Sequence, residues 1–281
     1  MAGLKNAKEE ELARVGPGTP SGEVFRRYWL PVEVSANLGG RRQPSNLQAV
    51  GMNFQGARNP IRVSALGEQL VLFRDASGRP KLLGEHCSHR GTSLFYGRVE
   101  DECLRCLYHG WAYDGEGNVT EMPAEPPGNE RFRRSIKHPA YPCIEAGGLI
   151  FAYMGPPEKQ PVFPKWDVLF RTDGLRVTGD GSYLEECNVF QAMHDNNLDT
   201  WHVDILHKWF RDEPLFMGMH HGRDGRPPTP VRYDRTRWGT RDVVLKDTPS
   251  GDTYEYYELH TVWPSFRVNF AGGNSIKFAL P

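Results

Sequence analysis

Four side chains in the first half of the chain have the types and the spacing to hold a pair of iron ions. Cys87 and His89 are separated by one residue, and Cys106 and His109 by two. Each pair stands where the sequence predicts a hairpin tip. Two thiolates on one iron and two imidazoles on the other would hold a [2Fe–2S] cluster with a potential of roughly −150 to +300 mV. We therefore predict a centre that accepts electrons from a reductase and passes them to an oxygen-activating iron.

A structural zinc site is the alternative interpretation of these four residues. Zinc sites of the Cys₂His₂ type usually place like ligands together, whereas each pair here joins a cysteine to a histidine. The mixed pairs favour the iron–sulfur cluster. Cys103 also forms a Cys-x-x-Cys spacing with Cys106, but no thioredoxin-like pattern surrounds it, and we interpret it as a bystander. We expect Cys143 and Cys187 to be small core residues.

A second candidate metal site comprises Asp199, His202 and His207. Two histidines and a carboxylate with open positions form the ligand set of non-haem Fe(II) oxygenases. Histidines five residues apart differ by roughly 140° on an ideal helix, so they converge only if the helix ends or bulges between them. Asp199 could orient the His202 ring through a hydrogen bond. Two histidines in a helix are more often surface or core residues, but the upstream cysteine–histidine pairs favour a metal site.

Composition bounds the class of protein. Lys plus Arg total 34 and Asp plus Glu total 35, for a net charge of −1 over 281 residues. Such a chain has no electrostatic reason to bind nucleic acid or an anionic membrane. We find no apolar run of ~20 residues and no signal peptide. The five cysteines are an odd number, which argues against a disulfide framework and favours the cytoplasm.

Turn and strand signals dominate the first part of the chain. Thr19 is the predicted N-cap and Pro20 the first residue of a short helix. The predicted apolar face of this helix comprises Val24, Phe25, Tyr28 and Trp29. From about residue 31 to 156 the pattern is β-like, with predicted strands at 61–65, 69–73 and 147–154. Residues 75–80 and 114–118 are predicted hairpin loops.

The second part of the chain mixes helix and strand signals. Residues 155–161 are a predicted linker, and residues 183–193 have helical periodicity that resumes at 198–205. Residues 241–245 and 254–262 are predicted antiparallel strands. The fold class is therefore α+β.

At the cysteine and histidine motifs the sequence resembles the Rieske non-haem iron oxygenases, in particular their oxygenase (alpha) components. The resemblance covers about residues 12 to 210, and residues 15–20, 26–29 and 122–126 add likeness to the branch of phthalate 4,5-dioxygenase and aromatic O-demethylases. The motifs that carry it are Cys87-x-His89-Arg-Gly, Cys106-x-x-His109-Gly-Trp111 and Asp199-x-x-His202-x₄-His207.

The resemblance implies an all-β Rieske [2Fe–2S] domain joined to a helix-grip (START-like) catalytic domain with an antiparallel sheet. We expect an N-terminal arm and helix at 1–28, the Rieske domain at 29–156 and the catalytic domain at 157–281. The family is usually a head-to-tail homotrimer. Its motifs make His202 and His207 ligands of a mononuclear Fe(II). Asp199 would link His202 to His109 of the partner subunit and carry the electron path.

The resemblance also implies the reaction partners. A separate flavin and iron–sulfur reductase would supply electrons from NADH or NADPH. O₂ and an aromatic substrate, expected to be an aromatic acid, would meet at the mononuclear iron. The product could be a cis-dihydrodiol, a hydroxylated ring or a demethylated phenol, and the sequence does not decide among them.

One departure from the family pattern leaves an alternative function open. The family's third iron ligand is an Asp or Glu far downstream, and no carboxylate here stands in a matching motif. We expect a C-terminally truncated piece of a longer protein, which would bind catalytic iron weakly and could itself be inactive. A Rieske electron carrier is the first alternative, favoured by the missing carboxylate and opposed by the Asp199, His202 and His207 constellation. A colourless zinc-stabilised interaction module is the second.

Overall fold

The computed structural model describes residues 11–38, 60–126, 128–173, 187, 189, 231–247, 250–251, 253–263, 266–269 and 275–278. The chain divides into two compact units, Met1–Tyr183 and Leu184–Pro281. The domain boundaries expected at residues 28 and 156 stay predictions. In the described ranges, no helix has the length and the apolar character needed to cross a membrane.

Short strands build most of the first unit. Its α-helices are α1 (Pro20–Phe25), α2 (Glu130–Ser135) and α3 (Asp167–Phe170). Its strands are β1 (Trp29–Val34), β2 (Ile61–Ala65), β3 (Glu68–Arg74), β4 (Pro80–Gly84), β5 (Arg98–Glu100), β6 (Cys103–Arg105), β7 (Ala112–Tyr113), β8 (Val119–Glu121), β9 (Ala140–Tyr141), β10 (Cys143–Ala146) and β11 (Leu149–Tyr153).

These strands form antiparallel sheets in the orders β1-β11-β10, β2-β3-β4-β9 and β5-β6-β7-β8. The predicted strand at 61–65 coincides with β2, and the strand predicted at 69–73 lies within β3. The predicted loop at 75–80 connects β3 to β4, and the loop at 114–118 connects β7 to β8. Turn-forming residues at the ends of apolar runs made these elements predictable.

Helix α1 begins where the sequence predicts it to begin. The Thr19 hydroxyl accepts a hydrogen bond from the Gly22 N–H, which satisfies a backbone donor of the first turn. The predicted apolar face is only half correct, because the helix ends at Phe25 and Trp29 already lies in β1. Those two side chains are buried, whereas Val24 and Tyr28 are exposed.

A hydrophobic core in the first unit draws on strands of both four-stranded sheets. Val71 and Phe73 enter it from β3 and Leu83 from β4. Alternate residues of a strand point to one side, so Val71 and Phe73 share the core face of β3. The remaining members are Cys87, Leu94, Leu104, Cys106, Trp111, Tyr113 and Val119. Two of the four predicted cluster ligands are therefore part of the core itself.

The second unit contains an antiparallel meander in its described residues. Its strands follow one another in chain order: β12 (Val231–Thr236), β13 (Gly239–Asp247), β14 (Thr253–Val262), β15 (Phe266–Asn269) and β16 (Ser275–Phe278). The predicted strands at 241–245 and 254–262 lie within β13 and β14. The helical segments predicted around 183–205 fall mainly outside the described residues. The sheets of both units, with few helices, agree with the predicted α+β class.

We predict that Leu83→Ala lowers the free energy of unfolding by about 2–5 kcal/mol, because truncation of a fully buried leucine leaves a cavity in the core. Val162→Ala is the control, since Val162 is 90% exposed and such a change should stay within about 0.5 kcal/mol. Urea unfolding followed by tryptophan fluorescence measures both variants. Equal stability of the two would contradict this description of the core.

Candidate metal centre

Two loops with the same backbone pattern carry the four predicted cluster ligands. The first loop follows β4 and carries Cys87 and His89, and the second connects β6 to β7 and carries Cys106 and His109. In each loop the cysteine carbonyl accepts a hydrogen bond from the N–H of a glycine four residues later. The N–O distances are 2.8 Å for Gly91 to Cys87 and 3.2 Å for Gly110 to Cys106.

A second hydrogen bond closes each loop one residue further along. The Cys87 N–H donates to the Thr92 carbonyl at 2.9 Å, and the Cys106 N–H donates to the Trp111 carbonyl at 2.8 Å. The closing glycines have left-handed φ values of +70° for Gly91 and +74° for Gly110. Glycine adopts this conformation without the steric cost of a Cβ. The loop conformation thus favours glycine at the fourth position after each cysteine.

Each loop has an arginine that stabilises its ends through hydrogen bonds. Arg62 Nε donates to the carboxylate of Glu85 at 2.8 Å, and Ser93 at the far end of the first loop donates to the same carboxylate. Burial raises the pKa of Glu85, but these hydrogen bonds more than offset it and leave the pKa lowered. In the second loop, Arg105 Nη1 donates to the Gly110 carbonyl at 2.7 Å. Both loops are therefore held at their ends by charged hydrogen bonds.

The two thiols meet inside the core. Cys87 is 4% exposed and Cys106 is 3% exposed. A hydrogen bond between them lowers the pKa of Cys87 to about 5 and raises the pKa of Cys106. A buried thiolate pair needs a compensating cation, because charges are costly in an apolar environment.

The two imidazoles form a separate pair. The ring centroids of His89 and His109 lie 4.6 Å apart with planes inclined at 71°. His89 also stacks on Trp111 at 4.7 Å, and Tyr108 lies 3.8 Å from the His109 ring. Both histidines are half-buried, and Tyr108 is exposed. The imidazole pair thus has access to the surface that the thiol pair lacks.

The donor chemistry of the four candidates fits a two-iron cluster. Among the residues that the structure describes, no three His, Cys, Asp or Glu side chains converge closely enough to hold one metal ion. The four candidates instead divide into two sulfur donors and two nitrogen donors. That division is the donor set of a cluster in which two histidines replace two cysteines on one iron.

A hydrogen bond to the Cys87 sulfur comes from a residue that the sequence did not single out, Tyr113. The Tyr113 hydroxyl lies 3.0 Å from Cys87 Sγ and accepts the Ser88 N–H at 3.1 Å. Its own proton is then free to donate to the thiolate. Burial and this contact raise the pKa of Tyr113. One signal was present in the sequence: Tyr113 follows Trp111 by two residues, and alternate residues of an extended segment face the same side.

The remaining predicted residues have mixed outcomes. Cys103 is half-buried and contacts the Thr120 hydroxyl at 3.4 Å. Burial raises its pKa. The prediction that Cys187 is a core residue is wrong, since it is exposed, while Cys143 is half-buried.

The candidate residues of the second metal site, Asp199, His202 and His207, lie outside the described residues.

Comparison with known proteins agrees with the geometry. A family model described as the Rieske [2Fe–2S] domain matches residues 46–142. The phenoxybenzoate dioxygenase subunit alpha of Ectopseudomonas oleovorans is 42% identical over 213 residues, which cover 72% of this chain and 47% of that protein. The 5,5'-dehydrodivanillate O-demethylase oxygenase subunit of Sphingobium sp. is 37% identical over 206 residues, or 73% of this chain and 44% of that protein.

Solved structures show the same fold. The oxygenase of an oxygenase–ferredoxin complex of carbazole 1,9a-dioxygenase superposes with a TM-score of 0.64 at 19% identity, covering 96% of this chain and 70% of that one. The chain spans slightly less than half the length of the curated relatives it matches. The matching domain model, the identities near 40% and the paired loops agree. The chain therefore belongs to the Rieske non-haem iron oxygenases and carries their [2Fe–2S] domain.

Proposed function

We propose that Cys87 and Cys106 bind one iron of the [2Fe–2S] cluster and that His89 and His109 bind the other. The observation that carries this assignment is the pair of matched loops, which brings two buried thiols together and two half-buried imidazoles together. When bound, the cluster supplies one-electron transfer. The chain's own residues exclude water from the sulfur side and leave the imidazole side accessible to electron partners.

We further propose that His202 and His207 bind a mononuclear Fe(II) and that Asp199 joins this site to His109 of the partner subunit in a homotrimer. The support is the sequence motif, whose ligand types are those of non-haem Fe(II) oxygenases. Its carboxylate ligand has no assigned residue in this sequence. The five free cysteines are compatible with a reducing compartment, and we propose the cytoplasm.

The proposed activity is that of the oxygenase component of a multicomponent oxygenase. It would use O₂ and electrons from NADH or NADPH, delivered by a separate reductase, to hydroxylate or O-demethylate an aromatic substrate, which we propose is an aromatic acid. The support is the activities for which the two relatives are named, a phenoxybenzoate dioxygenase and a dehydrodivanillate O-demethylase. The matched segment covers less than half of each relative, so the activity of the whole protein is part of the proposal.

The ligand assignment predicts a sharp contrast between two cysteines. Cys106→Ser should abolish the visible absorption of the cluster and its acid-labile sulfide after anaerobic reconstitution with iron and sulfide. Cys103→Ser is the matched control and should retain both, because its side chain contacts Thr120 rather than the thiol pair. Iron and sulfide analysis measures the outcome. A Cys106→Ser variant with full sulfide content would refute the assignment.

The Tyr113 contact predicts a change in reduction potential. Tyr113→Phe should lower the potential, because a hydrogen bond to a cluster sulfur stabilises the more negative reduced state. A tenfold change in the equilibrium is 59 mV for one electron, and we expect a shift of about that size. Tyr141→Phe is the control, since the Tyr141 hydroxyl donates to Glu68 and not to a candidate ligand. Spectroelectrochemical titration measures both, and equal potentials would contradict the contact.

The catalytic proposal predicts separable losses. In a protein of the relatives' length, His202→Ala should abolish substrate-dependent O₂ consumption with a reductase and an aromatic acid, while the visible spectrum of the cluster stays unchanged. His220→Ala, a histidine without a partner at ligand spacing, is the control. Iron analysis should give about three irons per chain for an oxygenase and about two for an electron carrier. Two irons and no O₂ consumption in the unaltered protein of the relatives' length would favour the carrier.

A further inference from the structure

A buried histidine outside the ligand set lies behind the first loop. His138 is 2% exposed, and its ring packs 4.5 Å from the ring of Tyr113. Its Nε2 lies 2.9 Å from the Gly84 carbonyl, and its Nδ1 lies 2.8 Å from the Ser88 hydroxyl. Neither the predicted ligand set nor the proposed electron path uses this side chain.

The partners of His138 fix its tautomer. A carbonyl only accepts, so Nε2 carries the proton and donates to Gly84. Burial lowers the pKa of His138, which favours the neutral ring. In that ring Nδ1 has a lone pair and accepts the proton of the Ser88 hydroxyl. His138 therefore holds Ser88, which stands between Cys87 and His89, through the serine hydroxyl.

The same serine connects His138 to the sulfur. The Ser88 backbone N–H donates to the Tyr113 hydroxyl, which in turn donates to Cys87 Sγ. A donor that itself accepts a hydrogen bond is polarised and donates more strongly. The chain of contacts thus runs from the Gly84 carbonyl through His138, Ser88 and Tyr113 to the thiolate.

We propose that His138 is a positioning residue that sets the reduction potential of the cluster by holding Ser88 and, through it, the Tyr113 hydroxyl against Cys87. This inference rests on the proposed binding of the cluster at Cys87. The ring contacts of His138 among the described residues are to Gly84, Ser88 and Tyr113, none of which is an iron-binding candidate, so its effect is on the strength of one sulfur hydrogen bond. Loss of its contact to Ser88 weakens that bond and disfavours the reduced state.

Two near-isosteric substitutions separate the two contacts of the ring. In His138→Asn the amide oxygen takes the place of Nδ1 and keeps the acceptor for Ser88. In His138→Gln the amide nitrogen takes the place of Nε2 and keeps the donor to Gly84. We expect the asparagine variant to retain the potential of the unaltered chain. The glutamine variant should show a roughly threefold lower ratio of reduced to oxidised cluster, or about 28 mV at 59 mV per tenfold.

The experiment uses the full chain, reconstituted anaerobically with iron and sulfide and titrated by visible spectroelectrochemistry. Ser88→Ala removes the same contact from its exposed end and should reproduce the shift of His138→Gln. In the double variant of Tyr113→Phe with His138→Gln, the potential should equal that of Tyr113→Phe alone, because the two residues act through one bond.

Several results would overturn the inference. The inference is wrong if His138→Gln and Ser88→Ala have the same reduction potential as the unaltered chain. It is also wrong if His138→Asn and His138→Gln shift the potential equally. A purely structural role would lower thermal stability in these variants without separating their potentials. Failure of the unaltered chain to take up iron and sulfide is a different result, which would refute the proposed cluster site and this inference with it.

Discussion

Burial of two thiols in the hydrophobic core of the first unit is the constraint on which the rest of the structure depends. Cys87 and Cys106 pack with Val71, Leu83 and Leu104, so the loops that carry the thiols cannot move independently of the sheets. Two neighbouring thiolates buried at this depth would be costly without a cation beside them. Folding of the sheets thus creates a site that a cationic iron pair would complete.

The two ends of the site differ because its sulfur and nitrogen donors lie at different depths. The sulfurs lie in the core, whereas the imidazoles reach the edge of the loops, beside the exposed side chains of Leu107 and Tyr108. Electrons are transferred more readily at the accessible side of such a centre, and hydrogen bonds to the buried sulfurs adjust its potential without exposing it. The imidazole end of the site is thereby suited to electron transfer, and the sulfur end to adjustment of the reduction potential.

Local patterns in the sequence predicted several strands, the start of the first helix and the candidate cluster ligands. They did not predict contacts between residues far apart in the chain. The strand at 61–65, the N-cap at Thr19 and the spacing of the two cysteine–histidine pairs depend on residues near one another in the chain. His138 contacts Ser88, which is 50 residues away, and no local pattern marks that contact. Tyr28 shows that a local pattern can also mislead. Helical periodicity placed it on a buried face, but the helix ends at Phe25 and Tyr28 is exposed.

The two loops agree at the cysteine and at the glycine, but the histidine stands two residues after the cysteine in one loop and three in the other. His89 consequently stacks on the buried Trp111, while His109 lies beside the exposed Tyr108. The two candidate nitrogen donors therefore have different surroundings, one against a buried ring and one against an exposed ring.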